Sequence, residues 1–202
     1  MGRGSYRPCL SFCRWTLHHV IAMNEFTGSS AFLIVTILFL LLISGCNFKE
    51  NPSMPPLQVV DHVDLERYVG KWYEIARYPH KFQKGCLRSQ ATYTLTESGI
   101  SVLNECYEEA QPGNIRSAQG KAKVVDSKTN AKLKVSFFWP FYGKYWIIDL
   151  GKDYEYAVVG HPSRKYLWIL SRTRNLDEPI YQDILRRLED QNYDTSKLIK
   201  TN

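Results

Sequence analysis

Two cysteines in the middle of the chain could either form a disulfide bond or act in nucleophilic catalysis. Cys86 and Cys106 flank a predicted β-hairpin, and in an oxidising compartment two such thiols can form a disulfide. A strict count of strand positions puts them on opposite faces, so a bridge requires a bulge or an irregular strand start near Gly85. The alternative is a nucleophilic thiolate at Cys106, which needs a depressed pKa and a basic neighbour. The matching strands contain no histidine.

A third cysteine follows an apolar run. Residues 31–44 are fewer than the roughly 20 apolar residues of a membrane-spanning helix and match the apolar region of a secretory signal. The segment Ile43-Ser44-Gly45-Cys46 resembles the lipobox of bacterial lipoproteins, in which the cysteine is diacylated and the preceding segment is removed. Cys46 is therefore the predicted lipidation site, with palmitate as one acyl group. An ordinary signal peptide or a signal anchor with a chance cysteine is the alternative.

The segment before the apolar run does not fix the start of the protein. Residues 1–22 are longer than a signal needs, and Met23 is a natural start, although Asn24-Glu25-Phe26 lacks the usual basic residue. We favour Met23, with residues 1–22 lying before the true start. The expected domains are a signal segment at 1–45, the lipidated cysteine and a Pro-rich linker at 46–58, and one folded domain at 59–202.

Charge and composition exclude several classes of function. Removing residues 1–45 takes away three of 26 basic and one of 20 acidic residues, which leaves 157 residues with a net charge of +4. This mild charge is spread along the chain, so we expect no nucleic-acid partner. The few histidines, among them His80 and His161, are scattered, and we expect neither a metal site nor a cofactor.

From Lys71 onward apolar and polar residues alternate, and residues typical of turns recur at short intervals. Together these two patterns predict eight β-strands. The predicted strands are Lys71–Arg77, Ser89–Thr96, Ile100–Tyr107, Ser117–Val125, Ala131–Phe138, Lys144–Leu150, Glu155–Gly160 and Tyr166–Ser171. Eight antiparallel strands with short connections predict an all-β, up-and-down barrel, whose interior holds one small ligand.

Two helical segments flank the predicted barrel. A short helical turn capped by Asp64 precedes the first strand. The apolar stripe along residues Asp177–Gln191 predicts one C-terminal α-helix that packs on the outside of the barrel. Its apolar stripe consists of Ile180, Ile184, Leu185 and Leu188.

Three short motifs resemble those of the lipocalin family, in order and in spacing. They are Gly70-x-Trp72 after the helical turn, Asp153-Tyr154 before a strand, and Ser171-Arg172 at the end of the last strand. The chain looks like the bacterial outer-membrane lipoprotein lipocalins and, more distantly, apolipoprotein D, over about residues 57–200. The resemblance implies that Trp72 closes the narrow end of the barrel beneath Arg172, so that these motif residues are structural.

The inward strand phase and the resemblance together nominate a ligand-binding set. Tyr93 alternates with polar neighbours, and the other members match apolipoprotein D pocket positions on their own strands. The predicted set is Tyr93, Asn104, Phe137, Tyr145 and Trp168. For each residue the alternative is a core side chain that never meets ligand.

The segment 138–142 places four aromatic residues around a proline in a predicted loop. The lipocalin resemblance implies that this loop lies at the open end of the barrel. Such an apolar patch can enter a membrane or contact a partner. Folding over the barrel mouth as a lid is the other interpretation.

These features predict a lipid-binding protein rather than an enzyme. The expected ligand is a fatty acid or a lysophospholipid, stored or transported at the bacterial outer membrane. The expected location is lipid-anchored through Cys46 and facing the periplasm, because Asn47 is not the Asp that retains lipoproteins in the inner membrane of enteric bacteria. The alternatives are a structural membrane-anchored lipoprotein and an enzyme that uses a lumenal cysteine. The sequence leaves a homodimer open.

Overall fold

The computed structural model describes residues 54–111 and 113–201. The predictions for the signal segment, for Cys46 and for most of the linker lie outside these residues. Residues Glu50–Asn202 form one compact unit. No helix of the described residues is long and apolar enough to cross a bilayer.

The described chain contains two α-helices and nine β-strands. The helices are α1 (Leu65–Tyr68) and α2 (Glu178–Asp190). The strands are β1 (Gly70–Arg77), β2 (Cys86–Thr96), β3 (Gly99–Glu108), β4 (Ile115–Val124), β5 (Lys132–Phe138), β6 (Phe141–Leu150), β7 (Tyr156–Gly160), β8 (Leu167–Ser171) and β9 (Ile199–Lys200). Short 3₁₀ helices lie at Lys81–Gln83 and Thr195–Lys197.

The first eight strands form the predicted closed barrel. Each strand pairs antiparallel with the next, and β1 pairs with both β8 and β2, so the barrel has no free edge. The sequence prediction of eight strands is confirmed. It missed β9, which pairs with β1 outside the closed barrel through Ala76 and Arg77, because a two-residue strand has no detectable period.

The entry into the barrel is fixed by local chemistry. The Asp64 carboxylate accepts hydrogen bonds from the backbone N–H groups of Glu66 and Arg67, which caps α1 as predicted. Gly70 then has φ +97°, a conformation that side chains rarely adopt, and the Arg172 guanidinium lies 3.3 Å from where a Cβ would stand.

Helix α2 packs against the outside of the barrel, as predicted. Ile184 and Leu188 are buried, and they share a cluster with outward-facing Ile148 and Val158. The third buried residue of the helix is Tyr181. The predicted stripe members Ile180 and Leu185 are only partly buried at its edges, because the curved barrel wall fits a narrower helix face than the sequence stripe covers.

Strand direction gives the barrel two different ends. At one end β1 begins beside buried Trp72, and at the other β1 ends at Arg77. The second end, called the open end here, carries the β1–β2, β3–β4, β5–β6 and β7–β8 connections.

Candidate ligand-binding site

A column of small side chains widens the barrel along β4. Ala118, Gly120 and Ala122 pair with inward-facing residues of β3, and Ala122 is buried among the interior residues. Inward-facing Ala118 is exposed, so the open-end half of the interior is accessible to solvent. The residues predicted from the sequence to bind ligand do not include this column. Its signal is the run of small residues at every second position of β4.

Phe137 points inward over this column. A Cβ added at Gly120 would stand 2.7 Å from Phe137 Cδ1, so glycine is what lets the ring pack there. Phe137 is 42% exposed, at the open end of the apolar wall. This is the position expected of a side chain that meets a ligand on entry.

Three tyrosine hydroxyls meet inside the barrel. The Tyr145 hydroxyl lies 2.7 Å from that of Tyr68 and 3.1 Å from that of Tyr93. Tyr93 and Tyr145 are in the predicted set, whereas Tyr68 was missed because it comes from α1 and not from a strand. Three hydroxyl hydrogens serve two hydrogen bonds, so one donor remains for another acceptor.

Burial keeps these tyrosines neutral. It raises the pKa of Tyr93 to about 12, against a smaller lowering by the hydrogen bond to Tyr145. Burial likewise raises the pKa of Tyr68 and of Tyr145 well above the ordinary value of 10.0. The base of the interior is therefore uncharged, with hydroxyl groups as its polar handles.

Asn104 faces the same space with room around its amide. Its neighbours across β2 and β4 are Ala91 and Ala118, and the side chain is half-buried. Small residues on both sides leave the amide accessible from the interior.

Near the open end the interior carries a polar network. The carboxylate of Glu74 accepts hydrogen bonds from Arg77 Nη1 at 2.5 Å and from Gln83 Nε2 at 2.6 Å. Trp168 Nε1 donates to Gln83 Oε1 at 3.0 Å. Glu74 and Arg77 are both buried, so each charge compensates the other.

Trp168 also stands in an aromatic cluster at the open end. Its ring is parallel to that of Tyr166 at a centroid distance of 6.0 Å and lies 5.2 Å from His80. Burial, followed by the nearby charge of Arg77, lowers the pKa of His80 from 6.5, while Gln83 opposes this shift. Half-buried His80 is thus part of the mouth structure rather than a plain surface residue.

Cys86 and Cys106 are joined by a disulfide beside this mouth, with Cα atoms 5.4 Å apart. A bulge between Cys86 and Arg88 leaves Leu87 unpaired and turns Cys86 to the same face as Cys106. This is the strand irregularity that the sequence requires. Arg116 Nη2 lies 3.6 Å from both sulfurs. As bridged sulfurs, neither is a nucleophile.

The opposite end is closed by the motif residues. The Arg172 guanidinium stands 3.7 Å over the Trp72 ring and donates to the carbonyls of Arg67, Tyr68 and Lys71. Trp72 Nε1 donates to the Tyr68 carbonyl at 2.8 Å. A guanidinium on an indole face adds about 0.5–2 kcal/mol. The narrow end is thus sealed by a stack and by charge-assisted hydrogen bonds.

The Asp153-Tyr154 motif completes this end. Tyr154 has φ +61°, and its hydroxyl accepts the Asp64 backbone N–H at 2.9 Å. Arg67 lies over the Tyr154 ring at 4.2 Å. The Asp153 side chain is exposed.

Two clefts of about 410 Å³ each lie on the surface at the open end. One is lined by residues around the 3₁₀ helix Lys81–Gln83, and the other lies between Met54, Tyr78 and Arg164. Both clefts are open to solvent and lie outside the barrel interior. Among the described residues no cluster of three or more metal-ligating side chains is found.

A barrel sealed at one end, open at the other and lined by apolar and neutral polar groups, with one compensated ion pair near the open end, defines a binding protein for small hydrophobic ligands. Residues 63–202 match the family model described as a lipocalin-like domain. The chain therefore belongs to the lipocalin family.

Individual relatives agree with this assignment. The outer membrane lipoprotein Blc of Escherichia coli K12 is 40% identical over 159 residues, covering 78% of this chain and 88% of Blc. Apolipoprotein D of Macaca fascicularis is 36% identical over 160 residues, covering 74% of this chain and 80% of the relative. The structure of insecticyanin from Manduca sexta has a TM-score of 0.61 at 22% identity, over 74% of this chain and 85% of that one. This last similarity concerns the fold alone. Lipocalins of the Blc and apolipoprotein D type are binding proteins rather than typical enzymes.

Proposed function

We propose that this lipocalin binds one lipid acyl chain, as a fatty acid or a lysophospholipid, and stores or transports it at the outer membrane of a bacterium. The observation that supports this is the apolar interior wall, to which Trp168, Phe137 and the small residues of β4 contribute. A flexible chain fits such a wall without specific polar partners.

The energetics favour micromolar affinity or tighter. Burying one methylene gains about 0.8 kcal/mol, so ten methylenes gain roughly 8 kcal/mol before the cost of immobilising the ligand. Micromolar binding corresponds to about 8 kcal/mol. A ligand must therefore bury more than ten methylenes, so that the gain also offsets the cost of immobilisation.

The headgroup is expected at the open end. Burying a charged headgroup deep in the barrel is costly, and the tyrosine hydroxyls at the base are neutral. The mouth offers the Arg77–Glu74 pair and the Gln83 amide. This arrangement accommodates either a carboxylate or a zwitterionic headgroup in contact with water.

The anchor is proposed at Cys46. The lipobox supports acylation there, and two or more acyl chains give a stable anchor where one is marginal. The name of the Escherichia coli relative, an outer membrane lipoprotein, supports the same location. Replacing Cys46 with Ser is expected to release the protein from the membrane fraction or leave it unprocessed. A variant of mature size that stays membrane-bound contradicts the anchor.

The ligand is tested by titrating delipidated protein with palmitate and with a lysophospholipid while following tryptophan fluorescence. Tryptophan fluorescence is expected to change on titration of wild type. This change is expected to be lost in Trp168→Phe. The matched control is Trp146→Phe, because Trp146 is half-buried on the outer face of the barrel. Lipid extraction and mass spectrometry of the purified protein identify what it carries.

The negative result is equally specific. If neither ligand alters fluorescence or produces heat in calorimetry, and the extract contains no stoichiometric lipid, the barrel is not a lipid carrier. The structural lipoprotein interpretation then replaces the proposal.

A further inference from the structure

The exposed apolar side chains of this protein are concentrated at one end. Of the twelve large apolar residues that are exposed among the described residues, nine lie at or beside the open end. They are Phe82, Leu87, Ile115, Phe137, Phe138, Trp139, Phe141, Tyr142 and Ile199. Scattered exposed apolar residues are ordinary, whereas a contiguous group marks an interaction surface.

The largest part of this group is the β5–β6 tip, defined as residues 138–142. Phe138, Trp139 and Phe141 are 75%, 79% and 70% exposed. The rings of Phe138 and Phe141 are nearly parallel at 6.4 Å, so they support each other rather than the barrel. Both strands extend up to a two-residue turn, and the aromatic residues project outward. The lid interpretation does not fit this exposure.

A second exposed aromatic group, Phe82, lies at the same end. Phe82 is 74% exposed on the 3₁₀ helix Lys81–Gln83 and is held by stacking on Tyr166 at 6.3 Å. Lys81 and Lys84 are exposed on either side of it. The mouth therefore carries aromatic groups on two separate connections.

Lysines lie next to both aromatic groups. Lys134 lies across from Lys144, two strand positions or about 7 Å behind Tyr142 at 3.2–3.4 Å per residue. Its Nζ reaches forward to within 5.0 Å of the centre of the Tyr142 ring, so the ammonium lies at the base of the β5–β6 tip. Among the described residues, no ion pair includes Lys81, Lys84 or Lys134.

Acidic groups are few at this end. Glu108 ends β3, and Glu109 begins the β3–β4 connection. Glu108 is paired with Arg116 at 3.1 Å, Glu74 at the mouth with Arg77, and Asp194 beside the second cleft with Lys197. Exposed aromatic rings with ammonium groups beside them match the interface of a bilayer, where rings lie at headgroup depth and lysines meet lipid phosphates. The charge sign selects an anionic surface.

We propose that the open end docks on an anionic lipid bilayer, with the β5–β6 tip and Phe82 inserted among the headgroups and Lys81, Lys84 and Lys134 contacting lipid phosphates. Docking of this kind is separate from the acyl anchor at Cys46, which fixes the chain but not the direction of the barrel. It turns the mouth toward the membrane. Inward-facing Phe137 and outward-facing Phe138 are consecutive, so a lipid leaving the bilayer reaches the interior without crossing water.

The test uses residues 50–202, which contain the closed barrel and both of its hydrophobic clusters but neither the apolar run nor Cys46. Vesicle flotation compares phosphatidylcholine vesicles with vesicles containing phosphatidylglycerol. Wild type is expected to float with the anionic vesicles, and brominated acyl chains are expected to quench Trp139 fluorescence. The quenching is expected to disappear in Trp139→Phe, the variant least able to disturb folding.

Two sets of variants separate the apolar and the basic contributions. Phe138→Ser with Trp139→Ser is expected to weaken binding to anionic vesicles at least about tenfold. Replacing Lys81, Lys84 and Lys134 with Gln is expected to do the same, since each lysine near such a surface contributes about fivefold. The matched controls change exposed groups at the closed end. They are Leu95→Ser with Val125→Ser, and the Gln variants of Lys123, Lys128 and Lys152.

The proposal is supported if the open-end variants lose binding while the controls keep it and all variants keep the wild-type far-UV spectrum. It is overturned if the control variants lose binding equally, or if the open-end variants float like wild type. It is also overturned if wild type ignores vesicles and forms a dimer that Trp139→Ser dissociates, because the tip then covers a second copy. Palmitate titration of the same variants is read separately, so failure of docking and failure of lipid binding are distinguishable.

Discussion

Opening the Cys86–Cys106 bridge is expected to destabilise the barrel without changing its architecture. The bridge links the first residue of β2 to β3 across a sequence separation of 20 residues. The hairpin is otherwise held by a continuous ladder from Arg88–Tyr107 to Thr96–Gly99. Without the bridge these hydrogen bonds remain available, so the folded state survives and the unfolded chain gains freedom.

The magnitude follows from the length of the closed loop. In the chain-entropy model a loop of this size restricts the unfolded chain by about 3 kcal/mol at 25 °C. For a domain of this size 1 kcal/mol shifts the melting temperature by roughly 2–4 °C. The expected effect is therefore a loss of about 3 kcal/mol in the free energy of unfolding and of about 10 °C in Tm.

The assay compares the oxidised protein, the protein reduced with a phosphine, and Cys86→Ala with Cys106→Ala, each by urea unfolding and thermal melting. The reduced protein controls for the side chains that the double variant removes. A thiol titration of unreduced periplasmic material checks the starting state. Two free thiols before reduction, or an unfolding free energy unchanged by reduction, would refute the reasoning.

Three further changes test the closed end, the tyrosine cluster and the mouth. Arg172→Met removes the stack on Trp72 and several carbonyl hydrogen bonds, and is expected to cost about 3 kcal/mol in urea unfolding. Arg174→Met, which removes an exposed guanidinium over another ring, is expected to cost far less. Tyr145→Phe leaves two buried tyrosine hydroxyls without their shared partner and is expected to cost about 1–3 kcal/mol; an unchanged unfolding curve contradicts the cluster. The pKa of His80 is lowered by burial, so the unfolded chain binds this proton first and stability falls as pH drops below 6.5. His80→Gln is expected to flatten unfolding-against-pH curves below that value, and an equal slope in both proteins contradicts the assignment.

The sequence by itself determined the barrel, because side-chain period and turn chemistry are local properties. Alternation marked the eight strands, and the short gap between the predicted strands Ser89–Thr96 and Ile100–Tyr107 is the turn between β2 and β3. The Asp64 cap depends only on its neighbours along the chain. Strand phase also put Tyr93 on the inner face, where it lies in the interior cluster.

The tertiary structure decided which of these groups meet. Tyr68 joins Tyr145 across 77 residues of sequence, and no period along the chain specifies that contact. The small side chains of β4 make room for an aromatic ring only because the β4–β5 register places Phe137 over Gly120.

The Cys86–Cys106 bridge and the polar network at the mouth also depend on the tertiary structure. Strand phase alone separated the two cysteines, and the bulge at Leu87 brought them to one face. Gln83 comes from a connection between strands, yet it joins Glu74 to Trp168 inside the barrel. The period of a strand fixes its faces, but bulges, register and the closure of the sheet fix distances between strands, and these are set by packing of the whole barrel.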